Sequence, residues 1–164
     1  MTTTTASDSV RELLDRAAIT ELIYTVARAM DARDWDLLAT CYAPDAVGDY
    51  MNANVDGREA IIAGAKAFLE PFDATQHLVG NIQITVEANT ATTHATFIAQ
   101  HVREDGSGSG GGSSSSSSSS GQYILGGNYD DVLHRTDEGW KITKRQIRGI
   151  WGNGDDSVLT PPVS

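Results

Sequence analysis

The first third of the chain carries its apolar residues at helical spacing. A series that starts at Val10 recurs every three or four positions as far as Met30, which is typical of the core-facing side of a helix. Ser9 and Glu12 stand where a capping box would satisfy the first free amides. The pattern therefore predicts one long helix over residues 9–32.

Two shorter helices and a short strand follow. Asp34 stands where it can cap a helix over residues 35–42, and Pro44 would end that helix because proline cannot continue it. Residues 46–51 have the composition of a short strand. A third helix is predicted over residues 58–70.

From Ile82 onward the spacing changes from helical to alternating. Ile82, Ile84 and Val86 alternate with polar residues, which is the pattern of a half-buried strand. Helices followed by a run of strands indicate an α+β fold, with three N-terminal helices packed on a curved, mainly antiparallel sheet. The concave face of that sheet and the first helix would enclose a pocket. Three longer strands are predicted over residues 91–102, 123–135 and 140–151.

Composition divides the chain into a core and its flanks. A single domain is expected over residues 9–153, with a disordered N-terminus over residues 1–8 and a C-terminal tail over residues 154–164. Residues 104–121 are rich in glycine and serine, including eight consecutive serines, so a flexible insert between two strands is predicted. Native low complexity and an engineered linker both fit this insert.

The net charge bears on the possible binding partners, and the cysteine content bears on disulfide bonds. A net charge of −10 argues against a broad surface for nucleic acid or an anionic membrane. The single cysteine, Cys41, excludes an intrachain disulfide and is expected to be a small core residue. The N-terminus lacks the regions of a signal peptide, and no apolar run approaches the about 20 residues of a membrane span. A cytoplasmic protein is predicted.

The histidines are the first candidates for chemistry. None of them has the spacing of a metal-ligand set, so no metal site is predicted. His94 and His101 lie on one predicted strand at positions of opposite parity, so we expect them to face opposite sides of the sheet. His134 lies in a charged stretch near a turn, whereas His77 precedes a run of apolar residues.

Asp31 lies near the end of the first predicted helix, where a carboxylate is unfavourable for the helix dipole. It continues the line of Thr20, Tyr24 and Ala27 at helical steps, which turns it toward the core. A protonated or hydrogen-bonded His77 would offset the unfavourable interaction of Asp31 with the helix dipole. An imidazole held by a buried carboxylate is also a general base near neutral pH. A solvated Asp31 and a His77 bonded to a backbone carbonyl are the alternatives.

The position of His77 along its strand leaves two arrangements open. His77 has odd parity, whereas the apolar residues from Ile82 onward are even. Either His77 faces away from that apolar set, or a bulge near Gly80 and Asn81 exchanges the two faces of the strand.

Arg145 is the third candidate, because it shares one face of the last predicted strand with Thr143, Ile147 and Trp151. An enclosed guanidinium there would bind an anionic leaving group, a carboxylate or an enolate oxygen. A salt bridge to a helix carboxylate is the alternative. Walls of the pocket are predicted from aromatic and aliphatic residues, although plain core packing also explains each of them: Tyr24, Tyr42, Tyr50, Phe97, Leu125, Tyr129, Ile147 and Trp151.

Taken in order, five short segments resemble the SnoaL-like branch of the nuclear-transport-factor-2-like superfamily. The resemblance extends over residues 9–153 without the glycine- and serine-rich insert. It implies a cone-shaped α+β barrel with a deep pocket, in a homodimer or homotrimer. The segments are Ala-Ala-Ile-Thr-Glu-Leu at 17–22, Asp-Ala-Arg-Asp-Trp at 31–35, Gly-Arg-Glu-Ala-Ile at 57–61, Ala-Thr-Gln-His-Leu at 74–78 and Trp-Lys-Ile-Thr-Lys-Arg at 140–145.

Within that branch, the chain is most similar to the gamma-hexachlorocyclohexane dehydrochlorinase and bile acid 7-alpha-dehydratase group. The group removes a proton with an Asp–His dyad and expels a leaving group without a cofactor, and the resemblance places its dyad on Asp31 and His77. It also places the dehydrochlorinase arginine on Arg145 and a paired-glycine strand on Gly126-Gly127. Val26 departs from the group's polar or tyrosine residue, which implies a different substrate.

Three functions remain open at this point. The first is a cofactor-independent lyase, of the dehydratase type, acting on a small apolar, ring-containing substrate. The second is an isomerase or a polyketide-type cyclase that uses the same pocket. The third is a small-molecule-binding module without turnover. The mass of the product separates the first two, because elimination of water loses mass and isomerisation does not.

Overall fold

The computed structural model describes residues 6–50, 53–103 and 121–159. The predicted disorder of residues 1–5 and the predicted flexibility of residues 104–120 lie outside the described residues. The helices are α1 (Ala6–Ala32), α2 (Trp35–Thr40) and α3 (Arg58–Leu69), and a short 3-10 helix covers Asp156–Leu159. The strands are β1 (Tyr42–Tyr50), β2 (Ala53–Asp56), β3 (Ala74–Glu87), β4 (Thr90–Arg103), β5 (Gly121–Thr136) and β6 (Gly139–Gly154).

The six strands form one curved, open sheet in the order β2-β1-β6-β5-β4-β3. Neighbouring strands are antiparallel except for β1 and β6, which pair in parallel. The helices pack on one face of this sheet, and the α+β class predicted from the sequence is confirmed. Ile19 and Ile23 of α1 are fully buried there, against Leu133 of β5 and Ile142 of β6.

Several predicted boundaries are wrong. Helix α1 starts at Ala6, so residues 6–8 are helical rather than disordered. Pro44 lies inside β1 instead of ending α2. The pairing of β1 with β6 is interrupted between Tyr42 and Val47, so the missing N–H of Pro44 removes no bond from the ladder. The prediction also missed β2, and the expected tail over 154–164 contains the 3-10 helix.

A bulge in β3 settles which way His77 faces. The register of β3 against β4 shifts between Gly80 and Gln83, and Asn81 takes a positive φ of 52°. Before the bulge the odd residues are the less exposed ones, and after it the even residues are. The exchange of faces considered from the sequence is therefore present, and His77 lies on the same side as Ile84, toward the helices.

The alternation of β4 separates its two histidines as predicted. His101 is buried, whereas His94 is exposed on the opposite face. Within the described residues, no helix combines the length and the apolar character that crossing a bilayer would need.

Candidate active site

Asp31 and His77 meet where the end of α1 lies against β3. The Nδ1 atom of His77 lies 2.6 Å from Oδ1 of Asp31, and the backbone N–H of His77 donates to Oδ2 at 2.8 Å. The Thr75 hydroxyl donates to Oδ1 at 3.1 Å. Both carboxylate oxygens therefore accept hydrogen bonds from one short stretch of β3, which fixes the carboxylate relative to the imidazole.

A second layer of contacts holds this arrangement. Arg33, which follows α1 with a φ of 58°, donates from its guanidinium to the Thr75 hydroxyl and to the Met30 carbonyl, both at 2.8 Å. Its position places a positive charge near Asp31 at the negative end of the helix dipole. The dipole cost noted from the sequence is thus offset by Arg33 as well as by His77.

The carboxylate stays ionised under these contacts. Burial acts to raise the pKa of Asp31, but the hydrogen bonds from the His77 side chain and backbone outweigh it, so the pKa lies below its ordinary value. An ionised Asp31 accepts a hydrogen bond from Nδ1 of His77, which therefore carries the proton. That leaves Nε2 as the nitrogen that can take a proton.

The imidazole of His77 borders an apolar cavity of about 220 Å³ between α3 and the sheet. The His77 side chain is 6% exposed and that of Asp31 is 24% exposed, so the imidazole is the more deeply buried partner. On its other side the pair borders an open groove that includes Tyr24 and Leu78. The imidazole therefore lies between an open groove and an apolar, partly open cavity.

Five of the predicted wall residues line this cavity: Tyr50, Phe97, Leu125, Tyr129 and Ile147. The rings of Phe97 and Tyr129 stack with their centroids 4.2 Å apart. A Cβ atom at Gly127 would clash with the Arg148 carbonyl oxygen and lie 2.9 Å from the Phe97 ring, so the glycine there permits the close approach of the β6 backbone and of the Phe97 ring. Helix α3 closes the cavity with Ile61, Phe68 and Leu69.

Three predicted wall residues lie elsewhere, which corrects the prediction. Tyr24 is exposed in the outer groove, and Tyr42 is buried in the main core. Trp151 is exposed on the outer face of the sheet, where its indole covers Gly126. The pairing of β5 with β6 shifts by one residue between Gly126 and Gly127, and this bulge turns Trp151 away from the face that carries Ile147.

Arg145 does not reach the cavity wall. Its guanidinium makes two hydrogen bonds of 2.7 Å to Asp131, the residue opposite it on β5, and both side chains are buried. The pair lies behind the wall, with the guanidinium 4.6 Å from the centre of the Tyr129 ring. The salt bridge considered from the sequence is present, but its carboxylate comes from a strand rather than a helix.

His101 is the polar wall residue that the sequence reasoning missed. It is 1% exposed and borders the cavity, with its ring centroid 6.0 Å from that of His77. Burial, with the His77 charge acting in the same direction, lowers its pKa to about 4. Its alternation with Phe97 and Ala99 along β4 was the available signal, because residues of one parity share a face.

In the part of the chain that the structure describes, no group of three or more histidine, cysteine, aspartate or glutamate side chains is arranged to hold a metal ion. The residues with polar side chains that line the cavity are His77, His101, Tyr50 and Tyr129.

Comparison with known proteins identifies a matching family model and related sequences. A family model of the SnoaL-like domain matches residues 11–146. An uncharacterised protein of Mycobacterium tuberculosis is 30% identical over 141 residues, which cover 84% of this chain and 86% of the relative.

Two solved structures share the fold. A hexachlorocyclohexane dehydrochlorinase of Novosphingobium barchaimii matches with a TM-score of 0.73 at 17% identity, over 89% of this chain and 93% of the other. A proposed scytalone dehydratase of Novosphingobium aromaticivorans matches with a TM-score of 0.72 at 22% identity, over 88% and 90% of the two chains.

Proposed function

The chain belongs to the SnoaL-like domain family, and we propose that it is a cofactor-independent lyase that eliminates water from a small, apolar, ring-containing substrate. The observation that carries the proposal is the 2.6 Å contact between Nδ1 of His77 and Asp31 at the edge of an apolar cavity. A general base needs such a partner, because the imidazolium formed by proton transfer must be stabilised.

The elimination begins at Nε2 of His77. This nitrogen takes a proton from a substrate carbon, the electron pair of the C–H bond forms the new double bond, and the C–O bond to the leaving hydroxyl breaks. The proton held by His77 then leaves with the hydroxyl as water, so the protein returns to its starting state. Asp31 keeps the proton on Nδ1 throughout, and it stabilises the positive ring while Nε2 is protonated.

The cavity favours this chemistry because its walls exclude water. Apolar walls strengthen the attraction between Asp31 and the imidazolium, since the dielectric response there is weaker than in water. The dehydrochlorinase and dehydratase names of the two structural neighbours agree with an elimination, although at their low identity those likenesses support only the fold.

The experiment that tests the proposal is a conversion assay on cyclic β-hydroxyketones, with the products analysed by mass spectrometry. We expect products that have lost the mass of one water. Products of unchanged mass would indicate that the protein is an isomerase rather than a lyase. Binding without conversion in the whole panel would contradict the proposal and favour the binding module.

The chain supplies a matched control for this assay. His94 and Asp130 form a pair with the same 2.6 Å contact between Nδ1 and Oδ1, but on the exposed outer face of the sheet. A His94→Asn variant should therefore convert substrate at the wild-type rate. A loss of activity in this variant would show that the assay reports folding rather than the cavity.

A further inference from the structure

His101 is a buried polar side chain without a well-formed hydrogen bond in the part of the chain that the structure describes. Neither of its ring nitrogens makes a hydrogen bond of good geometry, although the residue is only 1% exposed. A weak backbone hydrogen bond with Tyr123, its register partner on β5, acts to raise the pKa of His101, but its geometry is too poor to satisfy either ring nitrogen. Phe72 packs against the ring, with the centroids 4.8 Å apart.

The burial of a polar side chain without a good hydrogen bond requires a physical explanation. Buried polar groups in proteins are nearly always hydrogen-bonded, because an unmet donor or acceptor loses its interaction with water and gains nothing. An apolar residue would fill the space between Phe68 and Phe72 without this cost. The imidazole lines the cavity, so the partner available to it is a molecule inside the cavity.

We propose that His101 binds an oxygen atom of the substrate, and thereby selects ring compounds that carry a carbonyl or hydroxyl group. This inference rests on the proposed function only in taking the cavity as the substrate site. A neutral imidazole donates one N–H hydrogen bond, which suits both a carbonyl and a hydroxyl oxygen. The aromatic side chains of Phe68, Phe97 and Tyr129 supply the apolar walls for the ring itself.

The two imidazoles lie close enough together to contact one substrate molecule. Their ring centroids are 6.0 Å apart, with the ring planes at 83°. Both residues line the same cavity, so one small molecule inside it is within reach of both imidazoles. The oxygen bound by His101 and the carbon whose proton His77 takes therefore belong to one small molecule.

A pair of probes tests the inference without knowledge of the natural substrate. 2-Naphthol and naphthalene present the same ring system with and without one oxygen, and their dissociation constants can be measured by NMR titration. We expect the wild-type protein to bind 2-naphthol about 2- to 10-fold more tightly than naphthalene, which is the value of one net hydrogen bond. The His101→Phe variant should lose this preference.

His94→Phe is the matched control, because it makes the same substitution on the opposite face of the same strand. It should keep the wild-type preference. An equal preference in wild type and His101→Phe would overturn the inference, as would a wild-type protein that binds both probes equally or binds neither.

A measurement on the wild-type protein covers the case in which His101→Phe does not fold. Addition of 2-naphthol should shift the ring ¹⁵N resonances of His101, and naphthalene should shift them less; equal shifts would overturn the inference. Failure of the proposed elimination would appear separately, as the absence of converted product in the assay on β-hydroxyketones, and would leave this binding difference intact.

Discussion

Replacement of His77 by asparagine is expected to lower turnover by about 100- to 10,000-fold, which is the usual contribution of a positioned general base. Asparagine has no group that accepts a proton near neutral pH. The fold should persist, because the backbone N–H of residue 77 still donates to Asp31 in the variant, as it does at 2.8 Å in the wild type. The measurement is kcat for elimination, alongside circular dichroism of the folded protein.

Two controls make this result specific to the base. His94→Asn removes the exposed histidine of the similar pair with Asp130 and should leave kcat unchanged. Asp31→Asn should lower kcat as well, because a neutral amide stabilises the imidazolium less than a carboxylate does. Full activity in both His77→Asn and Asp31→Asn would exclude this pair as the proton-transfer machinery.

The second large effect is on stability, at the buried ion pair of Arg145 and Asp131. Arg145→Met should lower the free energy of unfolding by about 3–5 kcal/mol, because it leaves the Asp131 carboxylate, which is 0% exposed, without its partner. The double variant Arg145→Met/Asp131→Leu should recover most of this loss, since no buried charge remains. Urea denaturation of the three proteins measures the difference.

The double variant also separates structure from chemistry. Arg145 does not border the cavity, whereas the family resemblance placed a catalytic arginine at this position. If Arg145 acts only on the fold, the stabilised double variant should regain activity together with stability. A double variant that regains stability but remains inactive would show that the guanidinium stabilises negative charge that develops on the substrate. A single variant with unchanged stability would contradict the energetic argument.

The elements of the fold could be predicted because their patterns are long and regular. The helical spacing of α1 and the alternation of β4 each extend over a dozen or more residues. The pair of Asp31 and His77 could be proposed because a carboxylate at a helix end requires compensation. The β3 bulge near Asn81 could be foreseen only as one of two arrangements, because parity reveals a conflict but not how it is resolved.

The remaining features depend on register, which the sequence does not encode locally. The partner of Arg145 is the residue that happens to lie opposite it on β5, and the shift in the β5–β6 pairing between Val132 and Leu133 decides which residue that is. A second shift, between Gly126 and Gly127, turns Trp151 outward. The inner-face position of His101 follows from alternation, but its lack of a well-formed hydrogen bond depends on the packing of Phe68 and Phe72.

The central claim is that Asp31 holds His77 ready to accept a proton at Nε2. The most direct measurement is the ¹⁵N NMR spectrum of the His77 ring at a pH where the imidazole is neutral. We predict a protonated Nδ1 and an unprotonated Nε2, and we predict that Asp31→Asn removes this preference. A wild-type ring protonated at Nε2, or an unchanged tautomer ratio in Asp31→Asn, would contradict the account.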